Sequence, residues 1–288
     1  MFELSVIVPV YNGENYLEIF LDSLTKQNVE FMEVIIVNDG SIDTTEDIIK
    51  KYCEKYDYWR YVNNIENKGL NASRNIGLRE SKGDYVIFCD ADDYIPENVF
   101  NKMLKNNDSE DYDIITGQVR KFSDELPSLS EYDYDESNGF YIWEDDINKF
   151  IFSNITHDTV FSVKEYPKII SNLSPWCNLV KRSLIKDYFD ETQGYSNSEG
   201  GLFYIPLLFN AKKIKILNEP VYYWRYNQSS LSVNEGLSKD KLMYIFKELM
   251  LINVYDENIA DVFFNMILTV ILPAFLSCDD NNHNNNYY

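Results

Sequence analysis

Three largely apolar runs constrain this chain more than anything else in its sequence: 4–10 (LSVIVPV), 32–37 (MEVIIV) and 84–89 (DYVIFC). A strand with one wet face alternates apolar and polar residues; a near-continuous β-branched run is the mark of a strand buried on both faces. The segments between them carry helical spacing instead. Residues 15–26 place Tyr16, Leu17, Phe20, Leu21 and Leu24 on one stripe, and 44–56 and 71–81 read as two further helices, with a strand over 58–63. Strands alternating with helices predict an α/β fold: a mostly parallel central sheet flanked by helices on both faces. Such sheets bind ligands beyond the carboxyl ends of their strands, where the loops converge.

After this regular stretch the pattern loosens. Residues 108–146 are acidic and rich in Tyr and Ser, with a strand expected over 113–120. Strand-like runs return at 213–218 and 221–226, followed by a helical segment over 239–276 and an Asp/Asn-rich tail expected to be disordered. The expected organisation is one half over 1–107, a second over 108–235, a C-terminal helical extension over 236–278 and a tail over 279–288.

A formal net charge of -21 excludes a phosphate-backbone binder, because no stripe of Lys and Arg supplies the counter-charge. An anionic bilayer is disfavoured for the same reason. The apolar stretch 259–276 is interrupted by Asp261, Asn265 and Pro273, so it reads as a buried terminal helix; peripheral membrane contact stays open. Four scattered cysteines and two histidines give no structural zinc pattern. Reduced, mostly buried thiols and no signal-peptide layout at the N-terminus lead us to expect a cytoplasmic location.

Four loops at successive strand ends carry chemistry. Asp90-Ala91-Asp92-Asp93 follows the run DYVIFC. Carboxylates at i and i+2 suit a hard divalent cation that keeps phosphate and water in its shell. The same acidic turn also reads as a helix start with Asp93 as N-cap. Asn38-Asp39-Gly40-Ser41 follows the second run; Asp39 can accept from a base or ribose, and Asp43 can cap the next helix. Pro9-Val10-Tyr11-Asn12-Gly13 brings an aromatic face to the same edge, suited to a nucleobase or simply packed in a turn. In Asn67-Lys68-Gly69-Leu70-Asn71-Ala72-Ser73-Arg74-Asn75, Arg74 at a helix start can meet anionic oxygens or lie on the surface.

Together, VIVPVYNGENYL, VIIVNDGSIDTT, NKGLNASRN and GDYVIFCDADDYI resemble the nucleotide-binding half of family 2 glycosyltransferases, which adopt the GT-A (Rossmann-like) fold. The resemblance is specific over residues 2–105. It implies an inverting, metal-assisted transfer of a sugar, hexosyl or N-acetylhexosaminyl, from a nucleotide diphosphate donor (a UDP-sugar) to a saccharide or lipid-linked saccharide. It further implies that Pro9, Tyr11 and Asp39 hold base and ribose, that Arg74 lies near the nucleotide, and that Asp90 and Asp92 form the DxD motif. In that motif Asp90 lies near the ribose and Asp92 on Mn2+ or Mg2+. Ser73 stands where the family usually has Ala.

The second half is similar more loosely. Ser174-Pro175-Trp176-Cys177-Asn178-Leu179-Val180-Lys181-Arg182 is similar to the family's PWNKLYKR segment, which assigns Trp176 to the sugar pocket; a core Trp is the alternative. Tyr222-Tyr223-Trp224-Arg225-Tyr226 is similar to the final strand, in which Arg225 approaches the diphosphate. The family's base sits in a Glu-Asp pair followed by two residues and a Phe. Here that run is Glu199-Gly200-Gly201-Leu202-Phe203, so the usual Asp position is a glycine. We assign the base to Glu199 after a one-residue shift that the two glycines permit. Asp187 or Asp190 are alternatives, as is a donor-binding pseudo-enzyme partnering an active transferase. A nucleotidyltransferase is a weaker rival, since PVYNGEN is neither basic nor Gly-rich.

Overall fold

In the computed structural model, residues 2–105, 111–124, 133–136, 139–143, 159–161, 177–186, 188–189, 191 and 199–226 are described. The expected terminal helix, the tail, Trp176, Asp187 and Asp190 lie outside them.

The described residues form one mixed sheet. The first half supplies β1 (Leu4–Val10), α1 (Leu17–Thr25), β2 (Met32–Asn38), α2 (Thr45–Lys55), β3 (Trp59–Asn63), α3 (Leu70–Glu80), β4 (Tyr85–Phe88) and α4 (Val99–Lys105). The second half adds β5 (Ile114–Ser123), β6 (Asp133–Asp135), β7 (Phe140–Trp143), β8 (Thr159–Phe161), β9 (Leu179–Lys181), α5 (Glu199–Asn210) and β10 (Ile214–Arg225). Strand order is β3-β2-β1-β4-β9-β5-β10-β8, with β7 also paired to β5 and β6 to β7. Strands β1 to β4 pair in parallel. Strand β9 enters antiparallel between β4 and β5, and β10 returns parallel to β5. The expected mostly parallel α/β sheet is therefore present.

The buried runs behave as their composition requires. Every residue of β1 and β2 is buried. Val6, Val8, Val34 and Ile36 join one apolar cluster with Phe20, Leu21 and Leu24 of α1, Ile49 of α2 and Phe100 of α4. Ile7, Ile35 and Val37 point the other way, into a cluster with Leu78 of α3 and Phe203, Tyr204 and Leu207 of α5. Period-two alternation thus feeds two cores, one per sheet face. Gly77 lets α3 sit directly on β1, since a Cβ there would lie 2.3 Å from Ile7 Cγ2.

One expectation and two alternatives are corrected. The runs 213–218 and 221–226 are one strand, β10, because Pro220 interrupts the β5 ladder as a register shift and does not end the pairing. Asp93 does not cap a following helix: Tyr94 instead bridges to Tyr223, and α4 begins only at Val99. Arg74 is not a surface residue, being 3% exposed inside α3. Cys89 and Cys177 are free and buried, and Cys53 is free and half-buried.

Candidate active site

The sheet's order reverses at β1. The chain runs outward from β1 to β2 and β3, then returns to place β4 on the other side of β1. A crevice opens at the carboxyl ends of strands flanking such a reversal. Tyr11 follows β1 there and Asp90 follows β4.

Backbone-to-side-chain bonds lace the loops around this crevice. Pro9 is buried within β1, whereas Tyr11 is 48% exposed just beyond it. Asn12 turns the chain at φ 51; its N–H donates to Ser41 Oγ at 2.9 Å, and its Oδ1 accepts from Ile42 N–H at 3.0 Å. Asp43 accepts from Thr45 N–H at 3.0 Å and Glu14 N–H at 3.2 Å, tying the start of α2 to the β1 loop. Gly40 at φ +73 permits a close approach to backbone: a Cβ would lie 2.7 Å from the Glu66 carbonyl carbon.

Asp39 is 3% exposed. Its carboxylate accepts from Asn64 Nδ2 at 2.7 Å, Lys68 N–H at 3.0 Å and Gly69 N–H at 2.8 Å. An ionised carboxylate has about four acceptor positions, so three are already in use. Asp39 therefore fixes the loop from β3 into α3, the helix that carries Arg74.

Arg74 donates from Nη2 to Asp90 Oδ1 at 3.0 Å and lies over the Phe189 ring at 5.5 Å. Its neighbour Asn75 holds the Phe189 backbone from both sides: Nδ2 donates to Phe189 O and Oδ1 accepts Phe189 N–H, each at 2.8 Å. Phe189 in turn stacks on Phe203 of α5 at 3.8 Å, and Phe203 meets Phe88 of β4 edge-on at 5.7 Å. Glu199 enters as a backbone position, the first residue of α5, so the helix bearing the assigned base is packed onto the strand that ends in the acidic turn.

Asp90 is partly open to solvent and Asp92 half-buried, while Asp93 is 1% exposed. Burial, with the charge of Asp90, pushes the Asp92 carboxyl up to about 6. Burial, then the charges of Asp92 and Asp90, pushes Asp93 well above the ordinary range. Crowded carboxylates of this kind call for a counter-cation. Arg225 packs against them. Its Nε donates to Asp92 O at 2.6 Å, its backbone N–H donates to Asp93 Oδ1 at 2.8 Å, and Nη1 pairs with Asp124. The guanidinium lies over the rings of Phe122 at 4.4 Å and Tyr16 at 4.8 Å. Among the described residues, Arg74 Nε and Arg225 Nη2 are buried donors without a partner.

A metal fits this turn in one particular way. No group of three His, Cys, Asp or Glu among the described residues forms a complete protein cage. A hard ion taking one or two carboxylates and completing its shell with substrate phosphate and water needs no such cage. The two unpartnered guanidinium donors match the anionic oxygens that such a ligand would bring.

The glycosyl transferase family 2 model matches residues 5–189, a span that holds every loop described above. The chain belongs to that family. Within the family, it is 32% identical over 239 residues to the glycosyltransferase GlyA of Streptococcus pneumoniae serotype 4, covering 80% of this chain and 31% of GlyA. It is 25% identical over 283 residues to the poly(ribitol-phosphate) beta-N-acetylglucosaminyltransferase TarS of Staphylococcus aureus, covering 96% of this chain and 45% of TarS. The chain spans 31% to 62% of the length of the first curated relatives it matches. In three dimensions it superposes on S. aureus TarS 1-349 in complex with UDP-GlcNAc with a TM-score of 0.71 at 23% identity, covering 96% of this chain and 79% of that one. A mannosyltransferase from Pyrobaculum calidifontis in complex with GDP-Man and Mn2+ matches with a TM-score of 0.63 at 14% identity, over 95% of this chain and 72% of that one. At those identities the likeness establishes the GT-A fold.

Of the residues expected from sequence, the structure brings Arg74, Asp90, Asp92 and Arg225 together and sets Tyr11 and Asp39 on neighbouring loops of the same edge. Asn75 and Tyr222 form part of the same framework without having been singled out, and Asp93 does so in a role other than the helix cap read from sequence. The Arg-Asn pair of the third motif was the one available signal, since it placed Asn75 beside Arg74.

Proposed function

We propose that the chain is an inverting glycosyltransferase that takes a sugar from a UDP-sugar, hexosyl or N-acetylhexosaminyl, and adds it to a saccharide or glycoconjugate. The observation that carries this reading is the acidic turn Asp90–Asp93 at the crevice, flanked by two buried arginines with unpartnered donors. Negative carboxylates for a cation beside positive donors for phosphate match a nucleotide diphosphate, whereas a neutral ligand would leave both sets uncompensated. The UDP and UDP-GlcNAc complexes of TarS favour uridine as the base.

In this reading, residues 1–107 hold the donor and 108–235 the acceptor, with 236–278 as a helical extension. Tyr11 stacks on the base, Pro9 and Asp39 shape the base and ribose pocket, and Asp90 meets the ribose. Asp92 would hold Mn2+ or Mg2+, which when bound neutralises charge on the departing diphosphate. Arg74 and Arg225 orient the diphosphate oxygens. Trp176 offers a flat apolar face to the sugar. Glu199 takes the proton from the acceptor hydroxyl as its oxygen attacks the anomeric carbon. The free thiols fit a cytoplasmic enzyme drawing on soluble donor. No helix among the described residues is long and apolar enough to cross a membrane.

Thermal stability against UDP-, GDP-, TDP- and CMP-sugars, with Mn2+ or with EDTA, tests the reading. A donor at about 100 times its dissociation constant stabilises a protein by ~2.7 kcal/mol. A UDP-sugar shift that requires Mn2+ and vanishes in Asp92→Asn is expected. Well-folded protein that no nucleotide sugar stabilises would sink it.

A further inference from the structure

Asp93 and Tyr222 are 129 positions apart in sequence, on the acidic turn and on β10, and both are fully buried at their point of contact. The Tyr222 hydroxyl donates to Asp93 Oδ2 at 2.6 Å and accepts from Asp90 N–H at 3.1 Å. Asp93 Oδ1 accepts Arg225 N–H at 2.8 Å, and Arg225 Nε returns to the Asp92 carbonyl at 2.6 Å. Every residue of the turn that bears a carboxylate is thus gripped by β10: Asp90 through its N–H, Asp92 through its carbonyl and Asp93 through both carboxylate oxygens. Tyr94 closes the grip with a reciprocal backbone pair to Tyr223, at 3.0 and 2.9 Å.

We propose that Tyr222 is a positioning residue for the metal-binding turn, setting the spacing of the Asp90 and Asp92 carboxylates through its single hydroxyl. The proposal rests on the metal-dependent reading above and assigns a function to a residue that touches neither metal nor sugar. A turn carrying three carboxylates repels itself and would splay if held only by its own backbone. Tyr222 opposes this with one oxygen that serves two members of the turn. The anchor lies on the last strand of the second half, so the donor-side turn takes its shape from the acceptor-side half of the chain. Residues behind a metal's direct ligands commonly change affinity by about 10- to 100-fold when removed.

The test is Tyr222→Phe, which keeps the ring and deletes the hydroxyl. Free Mn2+ is titrated by electron paramagnetic resonance in the presence of UDP, with UDP binding in EDTA measured alongside. We expect the Mn2+ dissociation constant to rise by about 10-fold or more, with the circular dichroism spectrum unchanged and metal-free UDP binding weakened less than Mn2+ binding, through Asp90 alone. Mn2+ affinity within twofold of the unaltered protein would overturn the proposal while leaving the transferase reading intact. An unaltered protein that binds no Mn2+ with UDP would remove the transferase reading and the proposal together. Should Tyr222→Phe not fold, Asp93→Ala decides on the same titration. Alanine in place of the carboxylate removes the acceptor of both the Tyr222 hydroxyl and Arg225 N–H, so an undiminished Mn2+ affinity there is equally fatal.

Discussion

Replacing Asp39 by alanine separates its scaffolding work from any contact with a nucleotide. In the folded protein its carboxylate accepts three bonds, from Asn64 Nδ2, Lys68 N–H and Gly69 N–H. Hydrogen bonds to a charged group contribute about 1.5–3 kcal/mol each, but the three share one acceptor and do not add. Lys68 and Gly69 lie near the surface, where water can replace the lost acceptor, whereas Asn64 is 9% exposed and is left with a buried amide. The loss should therefore approach one full charged bond plus a fraction of the others, about 2–4 kcal/mol. For a domain of this size that corresponds to a fall in Tm of roughly 2–4 °C per kcal/mol. Urea denaturation gives the free energy directly, and an unchanged m-value would show that the two end states kept their compactness. Because the loop leads into α3, Arg74 should also lose its fixed place, weakening UDP binding beyond what stability explains. A variant within 0.5 kcal/mol of the unaltered protein would refute the claim that Asp39 braces the loop.

Three further outcomes follow from particular contacts. Burial tends to raise the pKa of Glu33, but bonds from Ser5 (2.5 Å), Arg60 (2.6 Å) and Lys82 N–H (2.5 Å) outweigh it and hold the carboxyl below its ordinary 4.5. A depressed carboxylate stabilises above its unfolded pKa, so this contribution should be complete above pH 4.5 and fade below it, and Glu33→Gln should flatten the acid limb of a stability-versus-pH curve. Gly40→Ala puts a Cβ 2.7 Å from the Glu66 backbone at φ +73, and should lower stability by about 1–3 kcal/mol in urea denaturation while lowering UDP affinity. Glu199→Gln should cut kcat by about 100-fold or more with donor binding in the thermal assay unchanged, as loss of a general base requires; retained turnover would move the base elsewhere.

The first half of the fold is legible in the sequence because its strands are buried on both faces. LSVIVPV and MEVIIV admit no amphipathic reading, and their elements fall within a residue or two of expectation. Elements stabilised by distant partners give no such signal. Strand β9 is three residues long and exists because β4 and β5 flank it. Helix α5 contains Gly200, Gly201 and Pro206, all poor helix formers, and is held by Phe203, Tyr204 and Leu207 packing on the sheet. In the site, Asp90 and Asp92 were visible because i and i+2 carboxylates after a strand are a local pattern. Asp93 looked like a helix cap because its actual partners, Tyr222 and Arg225, are 129 and 132 positions away.

That distance bears on how the family varies its chemistry. The loops of β1, β2 and β3 are tied largely to one another, through Asn12, Gly13, Glu14, Asp39 and Asp43, so in the proposed reading donor recognition is built within a contiguous stretch of chain. The acidic turn is different: its carboxyl-bearing residues are fixed by β10 and Arg74, and Arg225 reaches on to Asp124 of the second half. Substitutions that reshape the second half through β5 or β10 must therefore preserve Tyr222 and Arg225 or disturb the turn. If the proposed acceptor site lies on this half, it can diverge only where it leaves Tyr222 and Arg225 in place, because β10 is bound to the requirements of the turn.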